Sequence, residues 1–213
     1  MENPIFEELA FQENPLFERI ITSLLDQKYA VVEDFFSPEL IHQLRQVLLQ
    51  KNEENSLKKA AIGNKTNQFI AREIRGDFIQ WMDQSKANAV ENIFFERIEN
   101  FINYLNKTCF MGILHKEFHY AVYPKGTFYE RHLDTFKNDD RRILSMVLYL
   151  NDQHWTIEKN GGELVIYTAN GKDISLAPYP GRLVIFESQF LEHEVKPVKS
   201  GERLSITGWL KTR

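Results

Sequence analysis

The apolar residues change their spacing once along the chain, and that change limits what it can fold into. Up to about residue 110 they recur at helical intervals; from about 115 to 210 they alternate or cluster in short runs. Pro15 opens a helix with Leu16, Ile20, Ile21, Leu24 and Leu25 on one face. Tyr29-Ala-Val-Val-Glu33 reads as a short strand. Ser37-Pro38-Glu39 is a helix start: the serine can cap free amides, proline fits the first turn, and the acid suits the positive end of the helix dipole. A long amphipathic helix over about 89–107 presents Val90, Ile93, Phe94, Ile98, Phe101, Ile102 and Leu105. The stretch from Lys51 to Lys59 reads as a loop or frayed helix end.

The second half is built from strands at about 117–123, 143–150, 163–168, 182–187, 193–198 and 203–211, separated by Gly, Pro, Asn and Asp. Helices followed by strands predict an α+β fold, with the helices packed on one face of a two-sheet sandwich or barrel. A helical support region over 1–114 and a β-core over 115–213 are expected to form one domain. Gly161-Gly162 reads as a hairpin turn, since no Lys-Ser/Thr follows to make a phosphate loop.

A formal charge of −4 lacks the basic excess of a general nucleic-acid binder. No run approaches ~18 consecutive apolar residues, so no membrane span is expected. The acidic start lacks the basic and apolar segments of a secretory signal, and a cytoplasmic protein is expected. The single cysteine, Cys109, cannot form an internal disulfide and is expected to be a buried, inert thiol.

His132-Leu133-Asp134 carries the chemical signal. On an extended strand, residues i and i+2 share a face, so one imidazole and one carboxylate would aim at a common point. His193, 59 residues after Asp134, would supply a third ligand from the start of another strand. Two histidines and one carboxylate on one side of a metal form the facial triad of non-haem iron(II) sites. Alone, a His-x-Asp is as compatible with a surface pair. Arg203, 10 residues after His193 and opening the last strand, adds weight: an arginine aimed into a β-core needs an anion there. His115 and His119, four apart, read as structural or surface residues.

The segment Tyr123-Pro-Lys-Gly-Thr-Phe-Tyr129-Glu-Arg-His132-Leu-Asp134 resembles the core of prolyl 4-hydroxylase-type oxygenases, which use iron(II) and 2-oxoglutarate. So do Leu148-Tyr-Leu-Asn151, Gly161-Gly-Glu-Leu164 and the ordered residues Phe186, His193-Glu-Val195, Arg203 and Trp209. The nearest resemblance is to the bacterial and animal prolyl hydroxylase domain branch; it extends to Asp34-Phe-Phe-Ser-Pro-Glu-Leu40 and Ile74-Arg-Gly-Asp-Phe-Ile-Gln-Trp81.

The resemblance implies a double-stranded β-helix (jelly-roll) core. His132, Asp134 and His193 would hold iron(II), and Arg203 would bind the distal carboxylate of 2-oxoglutarate. Tyr149 would donate its hydroxyl to that carboxylate, with Thr207 close by. Tyr123 and Tyr129 would line the iron site, Tyr129 toward substrate, and Trp209 would pack near the substrate entrance. O2 would be consumed, succinate and CO2 formed, and ascorbate used to keep iron reduced. Asp134 favours hydroxylation, because related halogenases lack this carboxylate. The implied substrate is a prolyl residue in a protein or peptide, such as a translation factor. The charged loop from Thr135 to Arg142, Arg141 included, reads equally as a lid over such a peptide or as a solvated loop. Three other readings remain: a hydroxylase of a free amino acid or other small molecule, a cupin-like metal protein without 2-oxoglutarate, and a non-catalytic binding module. The sequence is silent on oligomeric state.

Overall fold

In a computed structural model, the described residues are 12–54, 56–60, 75–135, 141–169 and 171–213. Helix α1 (Pro15–Gln27) is capped by the Asn14 side chain, and α2 (Pro38–Glu53) by Ser37, with Pro38 in its first turn as expected. Helix α3 (Ala89–Cys109) begins in a reciprocal cap between Asn88 and Glu91. Among the described residues, no helix is long and apolar enough to cross a membrane.

Two antiparallel sheets follow from the strand segments. Strands β1 (Tyr29–Val32), β2 (Lys58–Lys59), β3 (Phe78–Trp81), β4 (His115–Pro124), β6 (Arg142–Tyr149), β9 (Leu183–Glu187) and β11 (Glu202–Lys211) make the larger sheet, in the order β1-β9-β6-β11-β4-β3-β2. Strands β5 (Tyr129–His132), β7 (Leu164–Tyr167), β8 (Ile174–Leu176) and β10 (Glu192–Val195) make the smaller, in the order β5-β10-β7-β8. The helices cover one face of the larger sheet, and the smaller sheet covers the other.

Alternation along the strands sorts residues between two cores. Leu204, Ile206 and Leu210 of β11, Phe118, Tyr120 and Val122 of β4, and Leu144, Met146 and Leu148 of β6 face the helices. The intervening Ala121, Tyr123, Val147 and Tyr149, with Val184 and Phe186 of β9, face the smaller sheet. Gly208 lies where β4 and β11 approach closely: a Cβ there would sit 2.2 Å from Phe118 Cδ1 and 2.3 Å from the Glu117 carbonyl oxygen.

Several expectations need correction. Besides the expected β1, strands β2 and β3 also come from the first half, so residue 114 divides the sequence by periodicity but not the sheet. The 51–59 stretch is helical to Glu53 and ends in β2. Gly161-Gly162 is not a hairpin turn: Gly161 ends the short helix α4 (Ile157–Asn160), which carries the chain from β6 in one sheet to β7 in the other. Cys109 is exposed, because it occupies the last turn of α3 beside the equally exposed Phe110. Lys137, Asp139 and Asp140 of the charged loop lie outside the described residues.

Candidate active site

His132 ends β5 and pairs with His193 of β10 across the smaller sheet. Asp134 lies beyond the end of β5, in a bend, so strand alternation does not aim it. What holds it is a hydrogen bond from Ser145 Oγ on β6, 2.6 Å from Asp134 Oδ2, and Ser145 in turn meets Ser188 Oγ at 2.8 Å. His132 Nε2 lies 3.6 Å from Asp134 Oδ1, and His193 Nε2 lies 3.5 Å from Asp134 Oδ2. One ligand atom from each of the three falls within 4.8 Å of the others, spacing that can close on one metal ion.

Both imidazoles are oriented from behind. His132 Nδ1 lies 2.6 Å from the Glu130 carbonyl and His193 Nδ1 lies 3.3 Å from the Leu191 carbonyl. A proton on each Nδ1 leaves each Nε2 as the lone-pair donor. Burial pushes the His193 imidazole down to about 4, only partly offset by Asp134, so it is neutral at pH 7. Burial alone would raise the Asp134 carboxyl; His193, His132 and the Ser145 hydroxyl outweigh it and hold the group low. Two imidazoles and a carboxylate form a set suited to iron(II).

Arg203 is 2% exposed, and no carboxylate partners it among the described residues. Its Nε donates to the Gly162 carbonyl at 2.9 Å, while Nη1 and Nη2 make only long contacts of 3.4 Å, to Ser205 Oγ and Tyr149 Oη. The guanidinium lies 4.9 Å from the ring centroids of both Tyr123 and Tyr149. Burial raises the Tyr149 phenol, with Arg203 opposing, so the hydroxyl keeps its proton. It can therefore accept from Arg203 and donate to a second group. Thr207 Oγ1 continues the polar row at 3.4 Å from Ser205 Oγ. Gly162 has a φ of +71°, and a Cβ there would lie 3.2 Å from Arg203 Cδ.

One cavity is lined by His132, Asp134 and His193 and also by Arg203, Thr207, Tyr123, Tyr129 and Trp209. A buried cation with two unsaturated donors shares this cavity with an open three-ligand set. That fits a chelating dicarboxylate held at its far end by the cation.

A sequence model of the 2OG-Fe(II) oxygenase superfamily matches residues 118–211. A crystal structure of a Pseudomonas putida prolyl-4-hydroxylase is similar along the whole chain: 33% identity, TM-score 0.83, 93% of this chain and 100% of that one covered. The chain belongs to the prolyl 4-hydroxylase type of 2OG-Fe(II) oxygenase. A Trichoplax adhaerens prolyl hydroxylase, solved with a hypoxia inducible factor peptide fragment, shares the fold: 24% identity, TM-score 0.83, 92% and 89% covered. A PKHD-type hydroxylase of Prochlorococcus marinus (strain MIT 9515) is 36% identical over 103 residues, which is 46% of this chain and 44% of that protein. The chain thus matches less than half the length of that relative. The family uses iron(II), 2-oxoglutarate and O2, and the donor set and buried guanidinium described above fit both iron and co-substrate.

Within this oxygenase, residues assigned from sequence divide unevenly. His132, Asp134, His193, Arg203, Tyr123, Tyr129, Thr207 and Trp209 converge on the cavity, and Tyr149 contacts Arg203. Arg141 is exposed and does not line it. Its neighbour Arg142 reaches the cavity wall instead, 3.6 Å over the Trp209 ring, and donates to Glu117 and the Asp134 carbonyl. His119, read as structural or surface, is 2% exposed and lines the cavity beside Trp209, with Nδ1 unpartnered among the described residues. Sequence reading also missed Ser145, Ser188, Arg75 and Asp77. A buried serine in the apolar run of β6 was one local signal; Arg75 and Asp77 lie in the Ile74–Trp81 segment that carries the resemblance, but no role was read for them.

Proposed function

We propose that this oxygenase hydroxylates a prolyl residue in a protein or peptide, at the expense of 2-oxoglutarate and O2. The observation that carries the reading is Arg203, a buried cation without a carboxylate partner among the described residues, at the wall of the cavity that holds His132, Asp134 and His193. In this reading the three residues hold iron(II), Arg203 grips the far carboxylate of 2-oxoglutarate, and Tyr149 donates its hydroxyl to the same group. Thr207 and Tyr123 flank the co-substrate, while Trp209 and Tyr129, both lining the cavity, would border the place where a pyrrolidine ring packs. When bound, the iron supplies the oxidising chemistry: 2-oxoglutarate goes to succinate and CO2, one oxygen atom entering the succinate and the other the substrate's C–H bond as hydroxyl.

The protein's part is orientation and exclusion. Apolar Val147, Leu164 and Val195 wall the cavity, and Asp134 would be the carboxylate ligand whose presence favours hydroxylation over halogenation. A peptide substrate is supported by the prolyl hydroxylase relatives, one of which is solved with a peptide. A prolyl residue of a translation factor is the first target to assay, with ascorbate as reductant. Arg141, exposed outside the cavity, would contact the peptide beyond its prolyl residue.

The test is to incubate the protein with iron(II), 2-oxoglutarate and proline-containing peptides, following succinate and the peptide's mass. Hydroxylated peptide with matching succinate is expected, and His132→Ala or Asp134→Ala should abolish both. Succinate coupled only to free amino acids would move the reading to a small-molecule hydroxylase. Absence of succinate under every condition would move it to a metal protein of another kind.

A further inference from the structure

Arg75 lines the cavity with its side chain 10% exposed, and its Nε lies 2.7 Å from Asp77 Oδ1 and its Nη2 2.6 Å from Asp77 Oδ2, a two-pronged ion pair. Asp77 is 1% exposed. The Arg75 guanidinium carbon lies 4.3 Å from the Tyr129 ring centroid. The Tyr129 ring in turn stacks on the His132 imidazole, centroids 3.7 Å apart and planes 20° apart. The Tyr129 ring thus touches both the guanidinium and the imidazole. The backbone locks the stack: Arg75 bridges Tyr129, and the Gly76 amide donates to the Phe128 carbonyl at 3.0 Å.

We propose that Arg75 and Asp77 are a positioning pair for the metal-ligand side chain His132, acting through the Tyr129 ring; this rests on reading His132 as a ligand. The hydrogen bond from His132 Nδ1 to Glu130 sets the tautomer but leaves the ring free to swing about it. Stacking removes that freedom, and the guanidinium holds the tyrosine ring in place. Asp77 has two roles. Its fork fixes the guanidinium plane, and its charge cancels that of Arg75, which would otherwise repel a dication at the neighbouring ligands.

The full-length protein can be titrated with Mn(II) alone by calorimetry, with neither co-substrate nor oxygen. Arg75→Met and Tyr129→Leu should each weaken Mn(II) binding by about tenfold, the usual size for a residue behind a metal ligand. The double variant should be no weaker than either single one, because both remove the same restraint. Tyr129→Phe keeps the ring and should bind Mn(II) like the wild type. Wild-type affinity in Arg75→Met, or losses that multiply in the double variant, would overturn the proposal. If Arg75→Met fails to fold by circular dichroism, Asp77→Asn serves: it should also weaken Mn(II) binding, and unchanged affinity overturns the proposal. His132→Ala separates the two levels. If it binds Mn(II) as tightly as wild type, the ligand assignment itself fails; if it loses binding while the stack variants do not, only the positioning role fails.

Discussion

Ser145 on the larger sheet donates its hydroxyl to Asp134 Oδ2 at 2.6 Å, and Asp134 follows the last residue of β5 in the smaller sheet. The carboxylate of the site is therefore held from the opposite sheet, not by its own strand. Ser145→Ala leaves both Asp134 and Ser188 short of a partner in a fully buried place. It should cost about 1–3 kcal/mol of stability and lower metal affinity about tenfold. Urea unfolding and Mn(II) titration would measure the two effects separately.

Arg203→Met removes the buried guanidinium and its two unsaturated donors. The affinity for 2-oxoglutarate should fall by about two orders of magnitude, since a charge-assisted bidentate contact contributes on the order of 2–3 kcal/mol. Affinity for Mn(II) alone should stay near wild type, because Arg203 approaches none of the three ligands within hydrogen-bonding range among the described residues. Fluorescence or calorimetric titration with 2-oxoglutarate in the presence of Mn(II) checks both.

His119 sets part of the acid sensitivity. Burial, helped by Arg75 and Arg142, pushes its imidazole down from 6.5 to about 3. A depressed histidine is neutral in the folded chain and protonated in the unfolded chain between those values, so its term lowers stability as pH falls through that window. At pH 5 the loss amounts to about 2 kcal/mol. Replacing His119 with Phe should remove this share, leaving the variant less sensitive than wild type between pH 7 and pH 5. Equal pH sensitivity of the two proteins in urea unfolding would contradict it.

Gly208→Ala tests the approach of β4 to β11. The added carbon would fall 2.2 Å from Phe118 Cδ1 and 2.3 Å from a backbone oxygen. Backbone must shift to admit it, so a loss of about 2–3 kcal/mol is expected. Thermal unfolding would show it as a clear drop in Tm.

The α+β layout was legible because periodicity is local: each helix face and most strands of the second half lie where the apolar spacing puts them. His132, Asp134, His193 and Arg203 were legible because few structures need two histidines, a carboxylate and an arginine in that order. The reason offered for Asp134 was wrong, however. The i, i+2 rule applies within a strand, and β5 stops at His132. Strand β3 and the Arg75–Asp77 pair were missed because their meaning is non-local. Phe78–Trp81 is a strand because β4 offers it an edge, and Arg75 matters because Tyr129, 54 positions away in sequence, comes to lie over it. Cys109 was misread as buried because its apolar neighbours were taken as core, whereas the end of α3 protrudes.

Strand β11 carries Arg203, Ser205, Thr207 and Trp209 toward the cavity, and Leu204, Ile206 and Leu210 toward the helices. The two sets are interleaved like the teeth of a zip. A slip by one residue would put the arginine among the phenylalanines and leucines of the helical layer and a leucine into the cavity beside His132, Asp134 and His193. Each misregistered state would therefore pay twice, once in apolar exposure and once in a stranded charge. The strand has no halfway arrangement to occupy, so acquiring the fold and acquiring the binding site are a single event for this chain.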